Sequence, residues 1–163
     1  MKKNLELGGK WIGLIVISVL LTCAGCTSSP GPKIQVTGAW VRAVNTQQAT
    51  SMPGMPGMTD ATSAVYLTIQ NTGSQADRLV SVTSAVAQSV EIHQSQVQNN
   101  VASMQKLDNL ALPAKSTIQF QPGGYHLMLI GVKRNLNPGD KITVNLQFDK
   151  SAPILIEAEV RGP

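Results

Sequence analysis

Both cysteines of this 163-residue chain, Cys23 and Cys26, fall within its first 26 residues. No thiol follows them, which excludes a disulfide-stapled scaffold and any later site built on a thiolate. Aromatic residues make up only 4% of the chain and charged residues 13%, and there are just two histidines. Long stretches of 3.6-residue apolar periodicity are also missing from Ile34 onward, which argues against a coiled coil or a long-helix protein. The formal charge of +4 is concentrated at the N-terminus. Without residues 1–25, which carry Lys2, Lys3, Lys10 and Glu6, thirteen basic and nine acidic residues become ten and eight. A remainder of +2, with its charges scattered, is no nucleic-acid footprint.

What is present begins with an address. Lys2, Lys3 and Lys10 form a basic n-region, and Trp11–Leu21 is an apolar h-region. It is too short to cross a bilayer core of about 30 Å as a helix and reads as a bacterial export signal. The run Leu21-Thr22-Cys23-Ala24-Gly25-Cys26 resembles a lipoprotein processing site. Cys26 is the expected lipidated residue, although Cys23 stands where leucine is usual; lipidation at Cys23 and plain cleavage are the alternatives. A single anchoring cysteine also explains why an exported protein carries no disulfide. Residues 1–26 are therefore expected to be an export signal of lipoprotein type and 27–33 a flexible tether. That places the rest at the periplasmic or extracytoplasmic face of a membrane.

The body reads as all-β. Short runs rich in Val, Ile, Thr and Leu recur between Gly, Pro, Asn and Asp. The candidates are 34–42, 63–70, 78–84, 89–93, 101–106, 116–120, 125–132, 141–148 and 154–160. Turn signals separate them at Asn71-Thr72-Gly73, Pro122-Gly123-Gly124 and Asn137-Pro138-Gly139-Asp140. Ile142, Val144, Leu146 and Phe148 alternate with polar residues, as in a half-buried antiparallel strand. About nine strands in one domain, residues 34–161, point to a Greek-key sandwich or barrel. One segment breaks the rhythm. Residues 45–61 contain Met52-Pro53-Gly54-Met55-Pro56-Gly57-Met58, whose prolines and glycines exclude a regular element and leave a long loop with three thioethers.

Methionine usually fills gaps in a core, and a lone histidine is usually an ordinary surface residue. Those readings weaken when the positions are taken together. In the 125–132 candidate, strand parity puts His126 and Met128 on one face and Tyr125, Leu127 and Leu129 on the apolar other. In 89–93, Val90 and Ile92 share the apolar parity, so Glu91 and His93 point away from the core. If these strands meet, imidazole and thioether form a donor set suited to Cu(I) and poor for Mg, Ca or Mn. Zinc fits less well, since it prefers four Cys/His ligands, or three with water. A blue-copper centre would need the cysteine thiolate that the domain lacks. Thioethers carry no proton, so only the histidines would make copper affinity pH-dependent.

His93, Met104, His126 and Met128 spell H-x10-M-x21-H-x-M, the copper motif of the periplasmic chaperones called PCu(A)C. The flanks resemble that family too: Ala39-Trp40-Val41-Arg42, Ala64-Val65-Tyr66-Leu67, Ala76-Asp77-Arg78-Leu79, Val90-Glu91-Ile92-His93, Pro122 through Leu129, Gly131-Val132-Lys133-Arg134 and Pro138-Gly139-Asp140. The resemblance spans residues 34–161. It implies a cupredoxin-like β-sandwich or barrel that binds Cu(I) near its surface through His93, Met104, His126 and Met128. It also implies delivery of copper to cytochrome c oxidase subunit II, at the dinuclear copper centre, or to another copper protein. The Met52, Met55 and Met58 loop departs from the family pattern and is a candidate secondary soft-metal site or entry arm; oxidant scavenging is its metal-free alternative. A monomer is the default for a carrier. No serine stands in a nucleophile motif and no carboxylate pair has catalytic spacing, so an enzyme is not expected. The competing class is a metal-free structural or adhesive β-sandwich lipoprotein.

Overall fold

The computed structural model describes residues 31–48, 61–98 and 101–162. The expected export signal and the Met52–Met58 segment lie outside these residues, as does most of the expected tether. Ten strands follow one another: β1 (Ile34–Arg42), β2 (Thr62–Asn71), β3 (Asp77–Thr83), β4 (Ser89–Gln98), β5 (Val101–Leu107), β6 (Leu110–Leu112), β7 (Ser116–Phe120), β8 (Tyr125–Ile130), β9 (Lys141–Phe148) and β10 (Ile154–Arg161). Among the described residues the one further element is a 3-10 turn at Thr46–Gln48. It lies in the segment where the sequence argued against regular structure, upstream of the prolines that motivated that exclusion.

The strands form one ladder in the order β5-β4-β8-β7-β2-β1-β10-β9-β3-β6, with β2 also pairing β8 directly. A further pairing of β3 with β4, at Val82↔Val90, closes the ladder into a barrel and leaves β5 and β6 as outer strands. Most neighbours run antiparallel, but β1 and β10 are parallel and so are β7 and β8. The all-β barrel agrees with the sequence reading, the described residues forming ten strands where about nine were expected. β6 carries no sequence signal, because three residues between Asp108-Asn109 and Pro113 are too few to show alternation. β4 also continues past the expected end at His93, through the polar run Gln94–Gln98. Pairing with β5 holds that run, since Gln94, Ser95 and Gln96 stand opposite Gln105, Met104 and Ser103.

The core follows the period of two. Ile142, Val144, Leu146 and Phe148 of β9 are buried, together with Leu127 and Leu129 of β8 and Val65, Leu67 and Ile69 of β2. In β1 the register shifts between Thr37 and Trp40, where Gly38 adopts a φ of +65° that other residues rarely take. The bulge sets Trp40 opposite Tyr66, with ring centroids 4.5 Å apart and the Arg161 guanidinium 5.7 Å from the indole. Trp40 is thus a packing residue. Two polar side chains are buried as fasteners. Asn71 Oδ1 accepts from the Lys33 and Gly73 amides, and its Nδ2 donates to the Gln75 and Leu112 carbonyls. All of its donors and acceptors that matter are satisfied, which makes burial tolerable. Asp77 is the second, its carboxylate accepting from the Lys150 and Ser151 amides.

Candidate metal centre

The site is built on β4 and β8. They pair antiparallel with His93 directly opposite His126 and Glu91 opposite Met128. Parity then places all four side chains on one side of the ladder. On the other side of β4, β5 sets Lys106 opposite His93 and Met104 opposite Ser95. Met104 is therefore the diagonal neighbour of His93, a separation that long side chains span. On the far side of β8, Ala64 of β2 stands opposite Met128, and its small side chain leaves room beside the thioether. Three strands thus bring together His93, Met104, His126 and Met128, which are far apart in sequence.

The ring centroids of His93 and His126 lie 5.6 Å apart, edge to face at 69°. Their exposure corrects the sequence reading. The parity that pointed both rings away from the core suggested open surface, but His93 is only 7% and His126 only 5% exposed. Cross-strand neighbours cover them. Met104 is 49% exposed, on the outer strand β5. Met104, His126 and Met128 line a pocket of about 270 Å³ together with Arg42, Thr62, Ser63, Ala64, Tyr66 and other residues. His93 is not in that lining.

The hydrogen bonds assign the protons on both rings. His93 Nε2 lies 2.9 Å from Glu91 Oε2. A carboxylate only accepts, so Nε2 carries the hydrogen and, in the neutral ring, Nδ1 holds the bare lone pair. That Nδ1 is buried and has no hydrogen-bond partner among the described residues. His126 is arranged the other way round. Its Nδ1 lies 3.2 Å from the Gly124 carbonyl and donates there, which leaves the lone pair on Nε2. The carbonyl is set by the Pro122-Gly123-Gly124 turn, in which Gly123 has a φ of +78° and Gly124 also accepts from the Ser95 amide. Burial pushes the His126 pKa down, and the neighbouring His93 adds to this, while the Gly124 carbonyl partly opposes both. The ring is consequently neutral and able to act as a donor. Lys106 Nζ donates to Glu91 Oε1 at 2.6 Å, and this bond and the one from His93 hold Glu91 below the usual carboxylate range.

Among the described residues no group of three or more His, Cys, Asp and Glu is placed to hold a metal ion. Glu91 and Arg42 were not candidates from sequence, although Glu91 and His93 share a strand face two residues apart, which is enough to suggest contact.

The family described as "Putative lipoprotein LpqE-like" matches residues 34–160. The chain belongs to the LpqE-like lipoprotein family. A relative within reach of sequence comparison is "Putative lipoprotein Lxx21020" of Leifsonia xyli subsp. xyli, 32% identical over 86% of this chain and 84% of that one. Among solved structures, the copper-bound PCuAC domain from PmoF2 superposes with a TM-score of 0.58 at 25% identity, covering 80% of this chain and 94% of that domain. The apo PCuAC domain from PmoF1 gives 0.59 at 26% identity, over 80% and 95%. CuI-DR1885 from Deinococcus radiodurans gives 0.54 at 25%, over 77% and 78%. This LpqE-like protein therefore has the cupredoxin-like barrel of PCuAC domains, as the motif and its flanks implied.

Proposed function

We propose that this LpqE-like protein is an extracytoplasmic carrier of Cu(I) that binds the ion through His93, Met104, His126 and Met128 and hands it to a copper protein. The observation that carries this reading is the register of β4 against β8. It sets the two imidazoles of the domain opposite one another, edge to face, with two thioethers beside them. The buried, unpartnered Nδ1 of His93 fits the same reading. Leaving a buried acceptor unsatisfied costs about 1–3 kcal/mol, and a bound ion would relieve that. Imidazole nitrogens sit about 2.0 Å from a first-row ion, so two rings on one ion have centroids no further apart than about 6 Å. The 5.6 Å between His93 and His126 lies inside that limit. Two neutral imidazoles and two thioethers suit soft, monovalent copper, and structurally similar domains have been solved copper-bound and as a CuI form.

The pocket opens beside an exposed Met104, which suits transfer by ligand exchange to a partner rather than catalysis. The dinuclear centre of cytochrome c oxidase subunit II is the acceptor in this reading, and the carrier acts as a monomer held at the membrane by lipid on Cys26. The family's lipoprotein description supports the anchor. Thr62, Ser63 and Ala64, which follow the 45–61 loop directly, line the pocket. In this reading the thioethers of Met52, Met55 and Met58 have a secondary role in passing Cu(I) inward.

The test is a Cu(I) titration of reduced, anaerobic protein against a competing chelator. The chain carries Cys23→Ser and Cys26→Ser, because free thiols would bind Cu(I) themselves. One equivalent should bind, and His126→Ala or Met128→Ala should weaken it sharply. A His93→Ala/His126→Ala variant that binds as tightly as the parent would show the site to be wrong. Failure of the parent to bind one equivalent would favour the metal-free structural reading.

A further inference from the structure

We infer that Glu91 is a positioning residue that makes His93 present Nδ1 to the metal while His126 presents Nε2. This rests on the copper reading of the site and deepens it. The two histidines stand opposite one another in the same ladder, yet their outer partners differ in kind. His126 is oriented by the main chain, through the Gly124 carbonyl at Nδ1. His93 is oriented by a side chain, through Glu91 Oε2 at Nε2. Glu91 is itself fixed, since Lys106 Nζ lies 2.6 Å from its other oxygen. The chain Lys106–Glu91–His93 runs across two strands and ends on a ring whose remaining nitrogen is buried and unpartnered.

A ligand histidine needs its second nitrogen held, because a free ring samples both tautomers and several orientations, only some with a lone pair on the ion. Glu91 supplies that hold with one oxygen on His93 and the other on Lys106. It also excludes Nε2 from the metal, since that nitrogen carries the hydrogen donated to the carboxylate. The site therefore has one donor set by a turn, which mutation of a side chain cannot remove, and one set by an ion pair, which it can.

The experiment is a long-range 1H–15N correlation spectrum of the full chain with 15N-labelled histidine, in detergent, carrying Cys23→Ser and Cys26→Ser. Cu(I) has a filled d shell and leaves the spectrum observable. Before metal is added, His93 should show a protonated Nε2 and a bare Nδ1, with His126 the reverse. One equivalent of Cu(I) should move Nδ1 of His93 and Nε2 of His126. Glu91→Ala should shift the His93 nitrogens toward tautomer-averaged values and weaken Cu(I) about 10–100-fold, the usual range for losing such a partner. Glu91→Gln, whose carbonyl still accepts, should recover most of that loss. The parent spectrum needs no variant, so misfolding of Glu91→Ala does not spare the inference. A Cu(I)-induced shift at Nε2 of His93, or Glu91→Ala with unchanged His93 resonances and unchanged affinity, would overturn the role of Glu91 alone. A parent chain that binds no Cu(I) would overturn the copper reading and this inference together.

Discussion

Replacing Asp77 by alanine should cost the domain about 3–5 kcal/mol while leaving the copper affinity of the folded protein unchanged. Asp77 is 2% exposed at the start of β3. Its Oδ1 accepts from the amides of Arg78 at 2.8 Å and Lys150 at 2.9 Å. Its Oδ2 accepts from the Ser151 amide at 2.9 Å and the Ser151 hydroxyl at 2.6 Å. The carboxylate thus ties β3 to the turn between β9 and β10. A net hydrogen bond to a charged group contributes about 1.5–3 kcal/mol. Four such bonds on one carboxylate do not add, because the donors share an acceptor and a loop that can relax toward water. Single substitutions above about 4–5 kcal/mol are exceptional, which sets the upper end. The expected fall in Tm is roughly 10–20 °C. Asp77→Asn should lose at least half as much, since its amide sets a donor against the Ser151 donors.

The same contacts fix the pH dependence. Burial pushes the Asp77 carboxyl up, but the hydrogen bonds from the Ser151 hydroxyl and from the Arg78, Lys150 and Ser151 amides outweigh it and hold the pKa below 3.8. A carboxyl lowered by folding stabilises above its unfolded value, and that contribution disappears as pH falls through the folded value. The stability gap between parent and Asp77→Ala, measured by urea and thermal unfolding, should be flat near neutrality and shrink as pH drops below 3.8. A gap under about 1 kcal/mol at neutral pH, or one that widens in acid, would refute the reasoning.

Met104→Leu should change stability by no more than about 0.5 kcal/mol, since the side chain is half exposed on an outer strand. The same variant should weaken Cu(I) by at least about tenfold in a chelator competition, the lower bound for losing even a supporting partner; unchanged affinity would remove Met104 from the ligand set. Gly131→Ala should cost about 1–2 kcal/mol. Gly131 has a φ of +65°, and an added Cβ would lie 2.5 Å from the Gln88 side chain, which is exposed and can move aside; chemical denaturation reads the loss. Deleting Met52–Met58 should slow Cu(I) loading in stopped-flow transfer from a donor chelate while leaving the equilibrium stoichiometry at one. If the transfer rate were also unchanged, the loop would have no copper role.

Much of the barrel was legible because its strands alternate. Leu127 and Leu129 against His126 and Met128 specify both the strand and the face that turns inward, and the parity of β9 does the same. What sequence could not supply is which strands are neighbours. The burial of His93 and His126 follows from β4 meeting β8 and β5, a long-range pairing, so local parity gave the right side of the strand and the wrong exposure. β6 went unseen because three residues hold no period. Asn71 reads as a turn residue and Asp77 as part of a family flank; both are buried fasteners, because their partners at Leu112, Lys150 and Ser151 lie far along the chain. The Lys106–Glu91–His93 relay is intermediate: Glu91 and His93 share a face by parity, but Lys106 joins them only through the register of β5.

Charge at the site bears on which ion the proposed carrier would choose. Glu91 is the carboxylate nearest the histidines, and its charge is already met by Lys106, with His93 hydrogen-bonded to its other oxygen. Among the described residues the pocket lining adds a cation, Arg42, and no carboxylate. An ion entering beside His126 would therefore find neutral nitrogen and sulfur donors with no anion to spare. The cost of bringing an ion from water into a low-dielectric site rises with the square of its charge, and anionic ligands are the usual compensation. A divalent ion would pay about four times the penalty of a monovalent one, without that compensation. Softness and charge thus point the same way, toward Cu(I) over Zn(II). Metal competition at equal free concentrations checks the order, and a chain that held Zn(II) as tightly as Cu(I) would contradict it.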